Sequence, residues 1–312
     1  MTNKKIVLAG ATGQLGSLIA AELLKDPHIT LEVLSRQHSE QTDVLARQGA
    51  TIHVTDYTDL HPIKSAFEGT FSVISALQGD ESVIVDAQLR LYQQVIEAGC
   101  QCFIPSDYSF NLFALEKGEN WLSDIRRTFA QQATALNAPT QLVHVNNGCF
   151  LDTRVLFGFL GAVDLKSRTA NYWGDGQFPL DFTTFADTAA YTAQMATDER
   201  DMPNKFYVVG DRCNFHELVA SLERETGQAF KVIHNGSMDE LDQTIARRIQ
   251  KSPNNLFSFI PLMYYRAMLN GKGSLPTTHN HLFPEIQPTG VAAYIRHIVR
   301  PLVASPATAS SQ

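Results

Sequence analysis

A chain of 312 residues is long enough for one large core or two unequal lobes, and 44% hydrophobic with 18% charged residues is a globular composition. The formal net charge of −7 comes without a Lys/Arg cluster, which argues against direct nucleic-acid binding or an anionic-membrane face, and Arg126 and Arg127 read as solvated or ion-paired. No run approaches the roughly 18 apolar residues of a membrane span, and MTNKK enters a strand without a secretory apolar region, so a soluble cytoplasmic protein is expected.

Short apolar runs alternate with helical patterns through the first half. Strands are expected at Lys5 to Ala9, Thr30 to Ser35, Thr51 to Val54, Ser72 to Ala76, Cys102 to Pro105 and Gln141 to Asn146. Crossover helices are expected at Gly16 to Leu24, Leu60 to Phe67, Val83 to Ala98 and Trp121 to Leu136. This alternation predicts an α/β fold, a doubly wound parallel sheet covered on both faces. Beyond it, ANYWGDGQFPLDF (170–182) reads as a hairpin or paired strands around Gly174 to Gly176, Phe185 to Ala196 as a helix, KFYVVG (205–210) as a strand, and Asn214 as the cap of a helix through Leu222. The division expected is a Rossmann-type domain over 1–152, a smaller, interleaved α/β lobe over 153–300, and a flexible tail over 301–312.

Cys100, Cys102, Cys149 and Cys213 have neither disulfide-framework nor zinc-site spacing and read as buried thiols, with no metal implied.

GATGQLG (10–16) follows the first strand and opens a helix. Gly10 suits the tight turn, Gly13 the close approach of a pyrophosphate, and Gly16 the packing of helix on sheet, while the helix N-terminus supplies amide donors. Thr12, Gln14 and Leu15 share this loop and count with Gly10 and Gly13 as cofactor contacts. The second strand ends in Arg36 instead of an acidic residue, which favours the 2′-phosphate of NADP(H) over the free ribose of NAD, with Ser35, Gln37 and His38 as further donors. Asp56 either approaches the adenine or caps a helix before Leu60. Ala76, Leu77 and Gln78 in SALQG, and Ser106 after the fifth strand, lie on the carboxyl edge where the nicotinamide half would pass.

GATGQLG, Arg36, SALQG, FIPSDYSFN (103–111), HVNNGCF (144–150) and NHLFPEIQPTG (280–290) together resemble the NmrA-like branch of the atypical short-chain dehydrogenases/reductases, which includes the isoflavone-reductase-like enzymes. The resemblance covers most of residues 4–298 and implies an NADP(H)-binding fold with a substrate cleft between two lobes. Its members include phenylpropanoid reductases, quinone reductases, and proteins that bind the nucleotide as sensors.

The Tyr with Lys four residues later of ordinary short-chain dehydrogenases is absent. The isoflavone-reductase-like enzymes instead place a lysine before a paired basic sequence; matched on Arg126 and Arg127, that position is Leu122, with Lys117 the nearest substitute. Tyr108 remains as a candidate acid and Asp107 as its orienting partner or a ribose ligand, against packing and turn-capping alternatives. His144 reads as a satisfied strand histidine. Asn146, Asn147 and Cys149 either line the nicotinamide side or form a tight turn. Phe150, Phe157, Phe159, Tyr172, Trp173 and Phe178 suit a small apolar or aromatic substrate. The expected function is an NADPH-dependent reductase of a small carbonyl, enone or quinone. The alternative is a non-catalytic NADP(H) sensor that alters a contact with a protein partner.

Overall fold

The computed structural model describes residues 3–304. The first half runs β1 (Lys4–Ala9), α1 (Gln14–Leu23), β2 (Ile29–Ser35), α2 (Glu40–Arg47), β3 (Thr51–Val54), a 3-10 turn His61–Ala66, β4 (Thr70–Ser75), a π turn Ser82–Ala87 entering α3 (Gln88–Glu97), β5 (Cys102–Ile104) and α4 (Trp121–Ala135). It continues as β6 (Gln141–Leu142), β7 (His144–Asn146), β8 (Cys149–Phe150), β9 (Val163–Asp164), β10 (Thr169–Tyr172), β11 (Leu180–Thr183) and α5 (Phe185–Thr197). The remainder is β12 (Lys205–Tyr207), β13 (Asp211–Cys213), α6 (Phe215–Thr226), β14 (Lys231–His234), α7 (Met238–Lys251), α8 (Ile260–Leu269), α9 (Val291–Tyr294) and α10 (Arg300–Ala304).

Six strands form a parallel sheet in the order β3-β2-β1-β4-β5-β6, the Rossmann-type arrangement expected. Alternation along β1 explains the two covered faces: Ile6 and Leu8 enter one core, Val7 and Ala9 the other. The first core includes Ile19 of α1 and Tyr191 of α5; the second includes Phe67, Val95 of α3 and Phe129 of α4. Each such large apolar side chain contributes roughly 1.5–3 kcal/mol by leaving water.

After Val143, whose N–H donates to Phe103 O at 3.0 Å, the chain changes partner, and β7 pairs in parallel with β12. The second half of the chain therefore returns α5 to the main sheet and pairs β12 with β7 in a separate two-stranded sheet. The remaining elements build the smaller lobe from two three-stranded sheets, β13-β11-β8 and β14-β10-β9, with a core that includes Phe182, Phe215, Leu241, Phe259 and Ile295.

One expectation needs correction. Residues 170–182 do not form a hairpin, because β10 pairs with β14 and β9 while β11 pairs with β13 and β8. The glycine turn is tied elsewhere: Gly174 N–H donates to Gly236 O at 2.9 Å, and Phe215 N–H donates to Gly176 O at 3.2 Å. Of the expected tail 301–312, residues 301–304 continue the helix α10, and 305–312 lie outside the described residues. All four cysteines are free, three of them buried and Cys213 partly so. Among the described residues, no helix is long and apolar enough to cross a membrane, and no cluster of His, Cys, Asp and Glu could hold a metal ion.

Candidate functional site

The glycine turn separates packing demands from an outward opening. Gly10 has φ +84°, and a Cβ there would lie 2.6 Å from Ala76 O; at Gly16 it would lie 2.1 Å from Gly10 O. Both positions are therefore closed to a side chain by the protein itself. Gly13 differs: its φ is −78°, its nearest neighbour to a built Cβ is Gly10 O at 3.4 Å, and it is exposed. It begins α1 with no side-chain cap and no acidic residue in the first turn, leaving the helix's positive end open to an anion. Thr12 is exposed, Leu15 is buried, and Gln14 Nε2 donates to Asp152 Oδ2 at 3.1 Å, linking this turn to the smaller lobe.

At the end of β2 the Arg36 side chain is exposed, while Ser35 Oγ is engaged with Gln37 O at 2.9 Å. Tyr57, at φ +66°, lies beneath with its hydroxyl donating to Leu34 O at 3.1 Å. Burial raises the Tyr57 phenol pKa, an effect that nearby Arg36 opposes. Asp56 closes a local turn instead, accepting from Thr58 N at 2.9 Å and Thr58 Oγ1 at 2.6 Å.

The carboxyl edge is stitched between strands. Ala76 N–H donates to Ala9 O at 2.8 Å, Ser106 Oγ to Leu77 O at 2.6 Å, and Ser106 N–H to Gln88 Oε1 at 2.9 Å. Ser106 thus spends its hydroxyl joining the ends of β4 and β5, whereas Gln78 is exposed. Asp107 Oδ2 and His144 Nδ1 are 2.5 Å apart, both side chains buried, with Phe113 edge-on to the imidazole at a centroid distance of 4.9 Å. His144 is therefore a partnered strand histidine.

Tyr108 turns away from this edge. Its backbone is left-handed, with φ +27°, and its buried hydroxyl faces Thr192 of α5 without a hydrogen bond. Burial raises its pKa, and its side chain belongs to the core beneath α5. An acid role for Tyr108 does not fit this placement.

Further polar groups lie beside the Ser106 edge. Arg126 Nε donates to Ser106 O at 3.1 Å and its Nη1 to Leu122 O at 3.0 Å. Beside it sits the Tyr264 phenol, also next to the Ser109 side chain, with its ring against Phe110 and Phe159 at centroid distances of 5.3 and 5.8 Å. Burial raises the Tyr264 pKa and Arg126 opposes that rise. Sequence reasoning missed Tyr264 because more than 100 residues separate it from the strand edge and no local motif marks it. Leu122 packs on the smaller lobe's core, and Lys117 is exposed.

Unpaired polar atoms gather at the same strand ends. Among the described residues, Ser75 Oγ, Asp107 Oδ1, Asn146 Oδ1 and both polar atoms of the Asn147 amide are buried without a hydrogen-bond partner. Each such group costs roughly 1–3 kcal/mol until something pairs with it. Cys149 is close by, its thiol pushed up to about 12 by burial, so it is protonated and a poor nucleophile at neutral pH. A void of about 10 Å³ remains between Phe110, Cys149, Met268 and Gly273, about the room of one water. The segment over it is fastened by Asn111 N–H to Gly273 O at 2.9 Å and by Lys272 to Glu119 at 2.6 Å.

The NmrA-like family model matches residues 2–117, which places the resemblance on the glycine turn, Arg36, SALQG and the Ser106–Asp107 edge. A relative named oxidoreductase swnN, from Metarhizium robertsii, is 24% identical, with 93% of this chain and 96% of the relative covered. Bifunctional pinoresinol-lariciresinol reductase 1 of Linum usitatissimum is also 24% identical, with 76% and 80% covered. The solved structure of AtPrR2 with NADP+ and (+)pinoresinol superposes with a TM-score of 0.77 at 18% identity, covering 95% of this chain and 99% of the other. At that identity the likeness is one of fold.

Proposed function

We propose, with the NmrA-like match of residues 2–117 as premise, that the chain is an NADPH-dependent reductase of a small carbonyl, enone or quinone. The observation that carries this reading is Gly13, the one glycine of the turn that internal packing does not require, at the uncapped start of α1. Relatives along most of the chain are named oxidoreductases and reductases, and a neighbour of the same fold holds NADP+.

The cradle fits the cofactor. Gly10 to Leu15 hold the pyrophosphate through backbone donors, Arg36 meets the 2′-phosphate, and Ala76, Leu77 and Gln78 line the path to the strand ends. The orphaned Asn147 amide offers both the donor and the acceptor that a carboxamide needs. When bound, NADPH supplies the hydride.

This chain's residues then have to orient the acceptor and manage one proton. With leucine at 122, the family lysine cannot polarise the acceptor oxygen. We assign that proton to Tyr264 Oη, because Arg126 is held beside the phenol by two backbone carbonyls and favours charge on its oxygen. Ser106 and the Asp107–His144 pair fix the strand ends around this group. An acceptor enters by displacing the segment over the small void, since about 10 Å³ holds no organic molecule.

NADPH oxidation by purified protein, followed with quinones, enones and aromatic aldehydes after a binding titration, tests the reading. Protein-dependent turnover supports it. Tight binding without turnover on any acceptor supports the sensor, which the leucine at 122 favours.

A further inference from the structure

The smaller lobe holds a second, larger cavity. It is a half-open pocket of about 370 Å³ between the turn that follows β10, the start of α7 and the end of α8. That volume lies within the ~300–1,000 Å³ of small-molecule pockets. Trp173 and Phe178 supply its aromatic walls, Met238 and Leu269 add apolar surface, and Asp175 and Gln177 stand on its rim.

Each aromatic wall is seated against a glycine. A Cβ at Gly236 would come within 3.3 Å of the Trp173 ring, and one at Gly271 within 2.6 Å of the Phe178 ring. The turn is held from outside as well: Gly174 N–H donates to Gly236 O at 2.9 Å, and the His216 ring lies 2.9 Å from Asp175 O. The walls are therefore positioned before any ligand arrives, which reduces the entropy lost on binding. Within the described residues the Trp173 indole N–H has no hydrogen-bond partner, so a donor remains available beside the apolar surface.

All the lining groups belong to the smaller lobe, and Pro179 is the one lining residue this cavity shares with the void beside Cys149. We propose that the cavity is a binding site for a flat, uncharged two-ring aromatic molecule carrying a hydroxyl or carbonyl. The rings lie between Trp173 and Phe178 with Met238 beneath, a thioether being a favourable neighbour for an aromatic edge. The polar substituent meets the Trp173 N–H, the Gln177 amide or the Asp175 carboxylate at the rim. The site is independent of hydride transfer, and its occupant need not be reduced.

Calorimetric titration of the full chain with 2-naphthol, with and without saturating NADP+, tests this. Binding at about one molecule per chain is expected in both states, weakened at least ten-fold in Trp173→Ala and in Met238→Trp, which fills the space. Lack of saturable heat, loss of binding with NADP+, or unchanged affinity in both folded variants would overturn the proposal. A crystal of the wild-type complex gives a reading that does not depend on variants: the naphthyl group lies between Trp173 and Phe178, or the proposal fails. NADPH oxidation measured without 2-naphthol is unaffected by either result, so this site and the reductase reading can fail separately.

Discussion

At the scale of single residues, the glycines of GATGQLG have different physical reasons and should separate in experiment. Gly16→Ala forces a methyl against Gly10 O, where only 2.1 Å is available, and should lower stability by roughly 1–3 kcal/mol in urea unfolding. Gly13→Ala meets no such contact; it should leave the unfolding midpoint nearly unchanged and weaken NADPH binding in titration. Equal loss of stability in both variants would remove the distinction on which the cofactor cradle rests. The two tyrosines separate in the same way. Tyr108→Phe should keep NADPH turnover, because its hydroxyl faces α5, while Tyr264→Phe should reduce turnover of a carbonyl acceptor by about 10²–10⁴-fold. A quinone, whose product can take its proton from water, should be affected less.

At the scale of elements, the sequence shows the main sheet well because its inner strands are buried on both faces and its helices are amphipathic. Both properties leave a period in the residues themselves. The ends of β1, β2 and β3 fall within one residue of expectation, and α4 starts at the expected Trp121. The turn at Gly174 to Gly176 was misread because turn residues report where a chain bends, whereas its return partner is chosen by distant segments such as Gly236 and His216. The candidate site was legible to the same degree: the glycine turn, Arg36 and the strand-end residues stand in local motifs, while Tyr264 is brought beside Arg126 and Ser109 only by the packing of a distant helix. The Asp107–His144 pair shows how such packing fixes an element. It joins the segment after β5 to β7 with both side chains buried, so His144→Ala strands the carboxylate and should cost roughly 3–5 kcal/mol in urea unfolding. A loss under 1 kcal/mol would mean that water reaches Asp107 freely.

At the scale of the whole molecule, the last sheet edge is closed by the chain's own C-terminal segment, and this closure should respond to pH. An open β12 would present unpaired backbone groups to other chains. Instead His279 N–H donates to Tyr207 O at 2.8 Å, Tyr207 N–H donates to His279 Nδ1 at 3.0 Å, and Asn280 Nδ2 donates to Val209 O at 2.7 Å. His279 Nδ1 must be unprotonated to accept that bond, and burial, then the neighbouring His281, lowers its pKa below the ordinary 6.5. The unfolded chain therefore binds this proton more readily than the folded one, so stability rises with pH across the interval between the two pKa values. The contribution is complete above about 6.5 and is lost as pH falls through the lower, folded value. Urea unfolding of the wild type and of His279→Gln, whose side-chain carbonyl can still accept from Tyr207, should show the wild type losing more stability between pH 7.5 and pH 5. Parallel losses in the two proteins would mean that the closure holds regardless of this proton, and that the β12 edge is kept shut by Asn280 and the apolar packing of Phe283 alone.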